Sequence, residues 1–265
     1  MSWSKPLPSI FVAGLAASSF ACAKSNGTTP PGAHPHDGHG HHDGHAQHDG
    51  HGQHEGHGGG HGGGHGVNEH GYRGHRFDDP EQWTAQFESP ERTAWQKPDE
   101  VVASLALAPD ATVADLGAGT GYFAVRFAAA VPSGKVYAVD IEPNMVEWLG
   151  RRGREQGLAN LQAVQGEAND PALPNAVDLV FMCNVFHHLA DPKAYFEAVA
   201  GKLEAGGRVV ILDFKYDNPD DAPGPPQAMR MRAEQIVEIM QSAGYTLAKQ
   251  DDDLLDYQVV LEFTR

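Results

Sequence analysis

Val113-Ala-Asp-Leu-Gly-Ala-Gly-Thr-Gly-Tyr-Phe123 decides how this chain folds. It opens inside a short apolar run, Thr112–Leu116, that reads as a buried strand, and it leads into a helical pattern from Gly121 to Val131. Between the two, Gly117, Gly119 and Gly121 let the backbone turn tightly and approach a ligand closely. A glycine-rich turn between strand and helix lies at the carboxyl edge of a sheet, where open α/β sheets bind their ligands.

Working outward, strands and helices alternate. A helix start at Asp79-Pro80 puts Trp83 and Phe87 on one face, and a second start at Lys97-Pro98-Asp99 opens a short helix that ends by Pro109. Downstream, Lys135–Asp140 reads as a strand and Pro143 opens a helix running to Gly157. Leu161–Val164 and Val177–Met182 are strands, Pro192–Leu203 a helix, and Gly207–Asp213 a fifth strand. A Pro/Asp-rich loop, 218–226, leads to a helix ending near Ala243-Gly244, and Tyr245–Lys249 and Tyr257–Phe263 close the chain as strands. This alternation predicts an α/β, doubly wound, mostly parallel sheet covered on both faces. Two closing strands with no helix between them predict one antiparallel strand at the edge.

The glycine spacing is G-x-G-x-G, with Tyr122 where a dinucleotide fingerprint has its third glycine or alanine. Asp115, two residues before Gly117, would repel a pyrophosphate but suits a cationic ligand. Both features disfavour a nicotinamide oxidoreductase.

From Lys97 to the C-terminus the sequence resembles the class I S-adenosylmethionine-dependent methyltransferases. The resemblance rests on Asp115-Leu-Gly-Ala-Gly-Thr-Gly121, Tyr137-Ala-Val-Asp-Ile-Glu-Pro143, Gly166-Glu-Ala168, Val177–Leu189 and Leu203–Ile211, five segments in order. It implies a Rossmann-like seven-stranded sheet of order 3-2-1-4-5-7-6, and S-adenosyl-L-methionine as cofactor. It also implies cofactor contacts at Asp115, Gly117, Ala118, Gly119, Gly121, Asp140, Ile141, Glu167, Ala168 and Asn184. Asp140 matches the residue that holds the ribose hydroxyls, and Glu167 with Ala168 matches the pair beside adenine, with Glu in place of the commoner Asp. The short segment between strand five and the last helix implies an open substrate mouth, with the acceptor unidentified.

Methyl transfer from a sulfonium is an in-line displacement that positioning and charge complementarity can largely drive. A base is needed only if the acceptor must lose a proton. His187, His188, Tyr122 and Asp213 stand at strand ends or adjacent turns, but none is singled out, and Trp95-Gln-Lys-Pro98 reads either as a pocket cover or as core.

The N-terminal third has a different texture. Lys5 followed by the apolar run Ile10–Ala21 ending at Cys22 is expected to be a signal peptide over residues 1–22. The cysteine resembles that of a bacterial lipoprotein signal, with Ser19 where leucine is usual; a plain secretory signal, or a fortuitous apolar N-terminus on a cytosolic enzyme, is the other reading. Residues 23–76 form a His/Gly-rich linker, expected to be disordered because it has nothing to bury. Fourteen of the sixteen histidines lie between His34 and His75, in units such as His36-Asp-Gly-His39 and His54-Glu-Gly-His57, which can take a divalent metal. The methyltransferase-like domain is expected over 77–265. Cys183, inside a strand pattern, reads as a small buried hydrophobe.

The formal net charge is −16. Three of the 19 Lys/Arg and five of the 35 Asp/Glu precede Arg76, so the remainder carries a net −14. Such a surface repels phosphate backbones, so nucleic acid is not the expected acceptor; a small molecule is. Two functions stand side by side: a methyltransferase, or an exported metal-binding lipoprotein whose methyltransferase-like domain is a non-catalytic ligand or partner module. Location in the bacterial cell envelope follows from the N-terminus, with the cytoplasm as the alternative.

Overall fold

The structure, a computed structural model, describes residues 79–265. The signal peptide with Cys22, the histidine tract and Phe77 lie outside the described residues.

Three short helices come first: α1 (Pro80–Phe87), α2 (Pro90–Gln96) and α3 (Pro98–Ser104). Each has proline in its first turn, where the missing N–H costs nothing. Asp79 and Ser89 cap the first two, accepting from Gln82 and Arg92 N–H at 3.2 and 3.1 Å. Helix α2 did not emerge from the sequence, although Ser89-Pro90-Glu91 carries the start signal. Its seven residues, Pro-Glu-Arg-Thr-Ala-Trp-Gln, hold one large apolar side chain, Trp95, so no apolar periodicity shows.

The alternating part follows: β1 (Thr112–Leu116), α4 (Ala124–Ala130), β2 (Lys135–Asp140), α5 (Pro143–Glu155), β3 (Leu161–Gln165), β4 (Val177–Cys183), α6 (Pro192–Ala200), β5 (Leu203–Phe214), α7 (Ala233–Ser242), β6 (Thr246–Asp251) and β7 (Gln258–Thr264). Single 3₁₀ turns stand at Phe186–His188 and Gln227–Met229. The sheet order is β3-β2-β1-β4-β5-β7-β6, with β7 antiparallel to both β5 and β6, as expected.

Several boundaries differ, four of them by three residues or more; helix α6 ends at Ala200, not Leu203, because β5 already begins there. Helix α3 stops at Ser104, ahead of Leu107. Helix α4 starts three residues late because Gly121, at φ +93°, ends the preceding turn outside helical space. Strand β5 begins at Leu203, not Gly207: Val177 pairs with Leu203 and Leu179 with Arg208, and this slip absorbs Gly206 at φ +83°.

Alternate residues of the central strands supply two apolar layers. Val209 and Ile211 join Tyr195, Phe196, Ile236 and Met240 under α6 and α7. Val210 and Leu212 join Val101, Phe127 and Leu149 under α3, α4 and α5. From β1 the chain builds outward through β2 and β3, then returns to place β4 on the other flank of β1. That reversal opens a crevice at the carboxyl ends of β1 and β4.

Candidate active site

A cavity of about 590 Å³ occupies the crevice. Asp115, Gly117, Ala118, Gly119, Asp140, Ile141 and Asn184 line it. Glu167 and Ala168 line a cavity of about 20 Å³ that shares Gly117, Asp140 and Ile141 with the first. Gly121 lies in neither wall; a β-carbon there would meet Leu149 and Arg152.

The glycine-rich turn is held from two sides. Gly117 and Gly119 take φ of +72° and +54°, left-handed conformations that favour glycine. A β-carbon on Gly117 would also overlap the methyls of Val185. Behind the turn, Thr120 O accepts from Trp148 Nε1 at 3.1 Å and from an Arg152 guanidinium nitrogen at 2.7 Å. Glu88, just after α1, accepts from Thr120 Oγ1 at 2.8 Å and forms a two-pronged ion pair with Arg152. Trp83 and Phe87, read from the sequence as an apolar helix face, line the cavity as a consequence.

Two buried carboxylates dominate the electrostatics. Asp140 Oδ2 accepts from Gly119 N–H at 2.8 Å and Oδ1 from Glu142 N–H at 3.0 Å. Burial nevertheless pushes its pKa to about 6, against those two bonds. Asp115 is pushed further, to about 7, first by burial and then by the charge of Asp140. Its Oδ2 is buried without a hydrogen-bond partner, although Asp115 is in the cavity wall. An orphaned carboxylate oxygen there is suited to a positively charged ligand and repels an anionic one.

Tyr122 is a structural post. Its ring lies between the Arg92 and Arg126 guanidiniums, each 4.4 Å from the centroid, and its hydroxyl meets Thr93 Oγ1 at 3.0 Å. Asn184 turns the chain after β4 at φ +59° and accepts from Gln258 Nε2. Gln258 Oε1 accepts from Gln96 Nε2 at 2.9 Å, and Gln96 Oε1 accepts from Arg92 Nε. Cys183 joins this chain through a 3.1 Å contact with Gln96 Nε2, and burial raises its thiol to about 12. Cys183 also lines the cavity, so it is a wall residue as well as a packed one.

Nothing in the sequence marked Arg92, Gln96 and Gln258 as members of the site. The only local hint is that Gln96 and Gln258 are polar residues at positions the fold buries completely.

His187 and Asp213 come together: Nδ1 lies 3.0 Å from both carboxylate oxygens, and the side chains are 4% and 3% exposed. Burial works against the imidazolium, but the charge and hydrogen bond of Asp213 outweigh it and raise the His187 pKa. The His188 ring lies tilted against His187, centroids 4.2 Å apart, and both line the cavity. Trp95 is a cover: it lines the cavity while touching Phe214 and Tyr257. The loop after β5 also supplies wall, with Gly224, Pro225, Pro226 and Met229. Arg230 staples that loop, donating to Pro225 O and Asn218 O at 2.7 and 2.8 Å.

Residues 114–211 match a family model described as a methyltransferase domain. Over 98 residues the chain is 30% identical to the malonyl-[acyl-carrier protein] O-methyltransferase of Hahella chejuensis, covering 37% of this chain and 34% of that one. Over 167 residues it is 27% identical to the aklanonic acid methyltransferase DauC of a Streptomyces species, covering 52% and 76%. Among solved structures, a SAM-dependent methyltransferase from Aquifex aeolicus superposes with a TM-score of 0.64 at 27% identity, covering 70% of this chain and 97% of that one. The aligned stretch is about a third of the length of several curated relatives, 34% for the H. chejuensis enzyme. Strand order and superposition together make the described residues a Rossmann-like methyltransferase fold.

Proposed function

We propose that this chain is a methyltransferase that uses S-adenosylmethionine and acts on a small-molecule acceptor. The observation that carries the reading is Asp115 Oδ2, a buried carboxylate oxygen without a hydrogen-bond partner in the wall of the cavity at the β1–β4 switch point. S-adenosylmethionine, when bound, supplies a methyl group activated by a positively charged sulfur. Asp115 would meet the cationic part of that molecule, Asp140 the ribose hydroxyls, and Ile141, Glu167 and Ala168 the adenine side. Gly117, Ala118 and Gly119 would give it backbone surface, and Asn184 would close the cleft.

The acceptor class follows from the rest of the wall. Relatives are named for acceptors as different as an acyl-carrier protein and aklanonic acid. Here Arg92 is the single Lys or Arg among the wall residues, and Gln96, Phe87 O and the Tyr122 ring already engage it. A carrier-bound or nucleic-acid acceptor rich in phosphate has no counter-charge; a small apolar molecule does not need one.

Calorimetric titration of S-adenosylmethionine into the full chain tests the reading. Saturable binding is expected. A folded protein that takes up no cofactor would leave a repurposed fold.

We further propose that residues 1–22 direct the protein to the cell envelope and that the tract from His34 to His75 binds divalent metal. The apolar run before Cys22 and the His-Asp-Gly-His units support these readings. Fractionation of cells expressing the Cys22→Ser variant, with mass determination of the mature N-terminus, tests the first. Nickel titration with and without the tract tests the second.

A further inference from the structure

We infer that His187 and Asp213 form a proton-accepting pair that adapts the cavity to acceptors carrying a hydroxyl on an apolar, ring-bearing scaffold; this rests on the methyltransferase reading. Strands β4 and β5 run side by side with Cys183 opposite Leu212, so the 3₁₀ turn after β4 brings His187 beside Asp213. The Asp213 carboxylate is fixed in turn, because its Oδ1 also accepts from Phe214 N–H at 2.8 Å. A carboxylate on Nδ1 holds the proton there and leaves the lone pair on Nε2. His187 is a wall residue of the same cavity as Asp115 and Asp140, while Asp213 stands behind it. A base oriented by a buried carboxylate, at the edge of the cofactor cleft, is the arrangement that proton removal from an acceptor requires.

The remaining wall defines the acceptor's other end. Trp83, Phe87, Trp95, Phe214 and Met229 give it flat apolar surface. In the reaction, the acceptor O–H gives its proton to His187 Nε2. The acceptor oxygen forms a bond to the methyl carbon as the carbon–sulfur bond breaks, the electron pair of that bond stays on sulfur, and the proton leaves His187 for solvent. The charge balances: the sulfonium charge disappears as one proton is released.

Asp213 and the adjacent, tilted His188 ring face the imidazole directly, and Arg92, Asp115 and Cys183 share the cavity wall with it. The upward pull of Asp213 places the acid limb of the kcat–pH profile above the ordinary histidine range, since the base must be neutral to act. Asp213→Asn should move that limb to lower pH, a shift that a merely structural pair would not produce.

The test uses the full chain, methyl-labelled S-adenosylmethionine, and a matched set: 2-naphthol, 2-naphthylamine and 2-methoxynaphthalene. Label is expected on the 2-naphthol oxygen. His187→Gln should lower kcat about 100-fold or more while leaving acceptor KM and cofactor affinity within about threefold, the range expected for a lost general base. Independently of turnover, ¹⁵N-histidine NMR of the wild-type chain, titrated to a pH above the raised His187 pKa, should show the neutral ring as the Nδ1–H tautomer, assigned by its loss in His187→Gln. If that variant unfolds, Asp213→Asn and the wild-type tautomer decide. Labelling of no hydroxyl compound, an Nε2–H tautomer, or undiminished kcat in a folded His187→Gln protein overturns the pair while cofactor binding keeps the methyltransferase reading intact. Failure of the wild type to bind S-adenosylmethionine overturns both.

Discussion

Gly119 N–H donates to Asp140 Oδ2 at 2.8 Å, so the turn after β1 and the end of β2 are tied before any ligand arrives. With Glu142 N–H on Oδ1, one carboxylate shapes both loops of the cofactor cleft. Asp140→Asn can accept only one of these bonds. S-adenosylmethionine affinity measured by calorimetry should fall at least about tenfold, or roughly 1.4 kcal/mol. Unchanged affinity would remove Asp140 from the site.

Asp115 gives stability a distinctive pH dependence. Its pKa rises from 3.8 unfolded to about 7 folded, so between those values the folded state holds the extra proton. Its contribution to stability is therefore full below pH 4 and is lost as pH rises toward 7, and Asp140 adds the same sign up to about 6. Asp115→Asn should flatten the fall in Tm of the ligand-free protein between pH 4 and 7 by several degrees in scanning calorimetry. Equal slopes in wild type and variant would contradict the burial of its charge.

Gly117 and Val185 test how closely the β1 turn meets the β4 turn. Gly117→Ala combines a left-handed φ with overlap on both Val185 methyls, costing about 2–4 kcal/mol in urea unfolding. Adding Val185→Ala should return the packing part of that loss and leave the backbone part. Gly119→Ala meets only Phe87, at 3.8 Å, and should cost about 1–2 kcal/mol. Equal losses at the two glycines would show that Val185 does not matter.

Gln258 bridges α2 to the cleft. Gln258→Leu would strand the Gln96 amide and the Asn184 carbonyl, both hydrogen-bonded to it. A loss of about 2–4 kcal/mol is expected, with weaker cofactor binding as Asn184 and the α2 cover loosen. Full stability would mean that water replaces the amide.

The strand sequence, the antiparallel edge and the glycine turn were all legible because each depends on local features. Short apolar runs, aspartate and proline starts, and the glycine-rich turn are written within a few neighbouring residues. Asp115 was legible for a similar reason: a carboxylate two residues before Gly117 must share its cavity. Helix α2 escaped because Trp95 is its one large apolar side chain and makes no pattern, and the start of β5 because a register slip is set by the partner strand.

By itself, then, the sequence determined a doubly wound sheet with a cation-accepting cleft at the end of β1. Only the tertiary structure decided which side chains meet there. His187 and Asp213 are 26 residues apart, Glu88 and Arg152 64, and Gln96 and Gln258 162. Such pairs form because crossovers and register deliver distant strand ends and helices to one edge of the sheet. No spacing within the chain encodes that meeting, since it is fixed by packing across the whole domain rather than by backbone preferences along it.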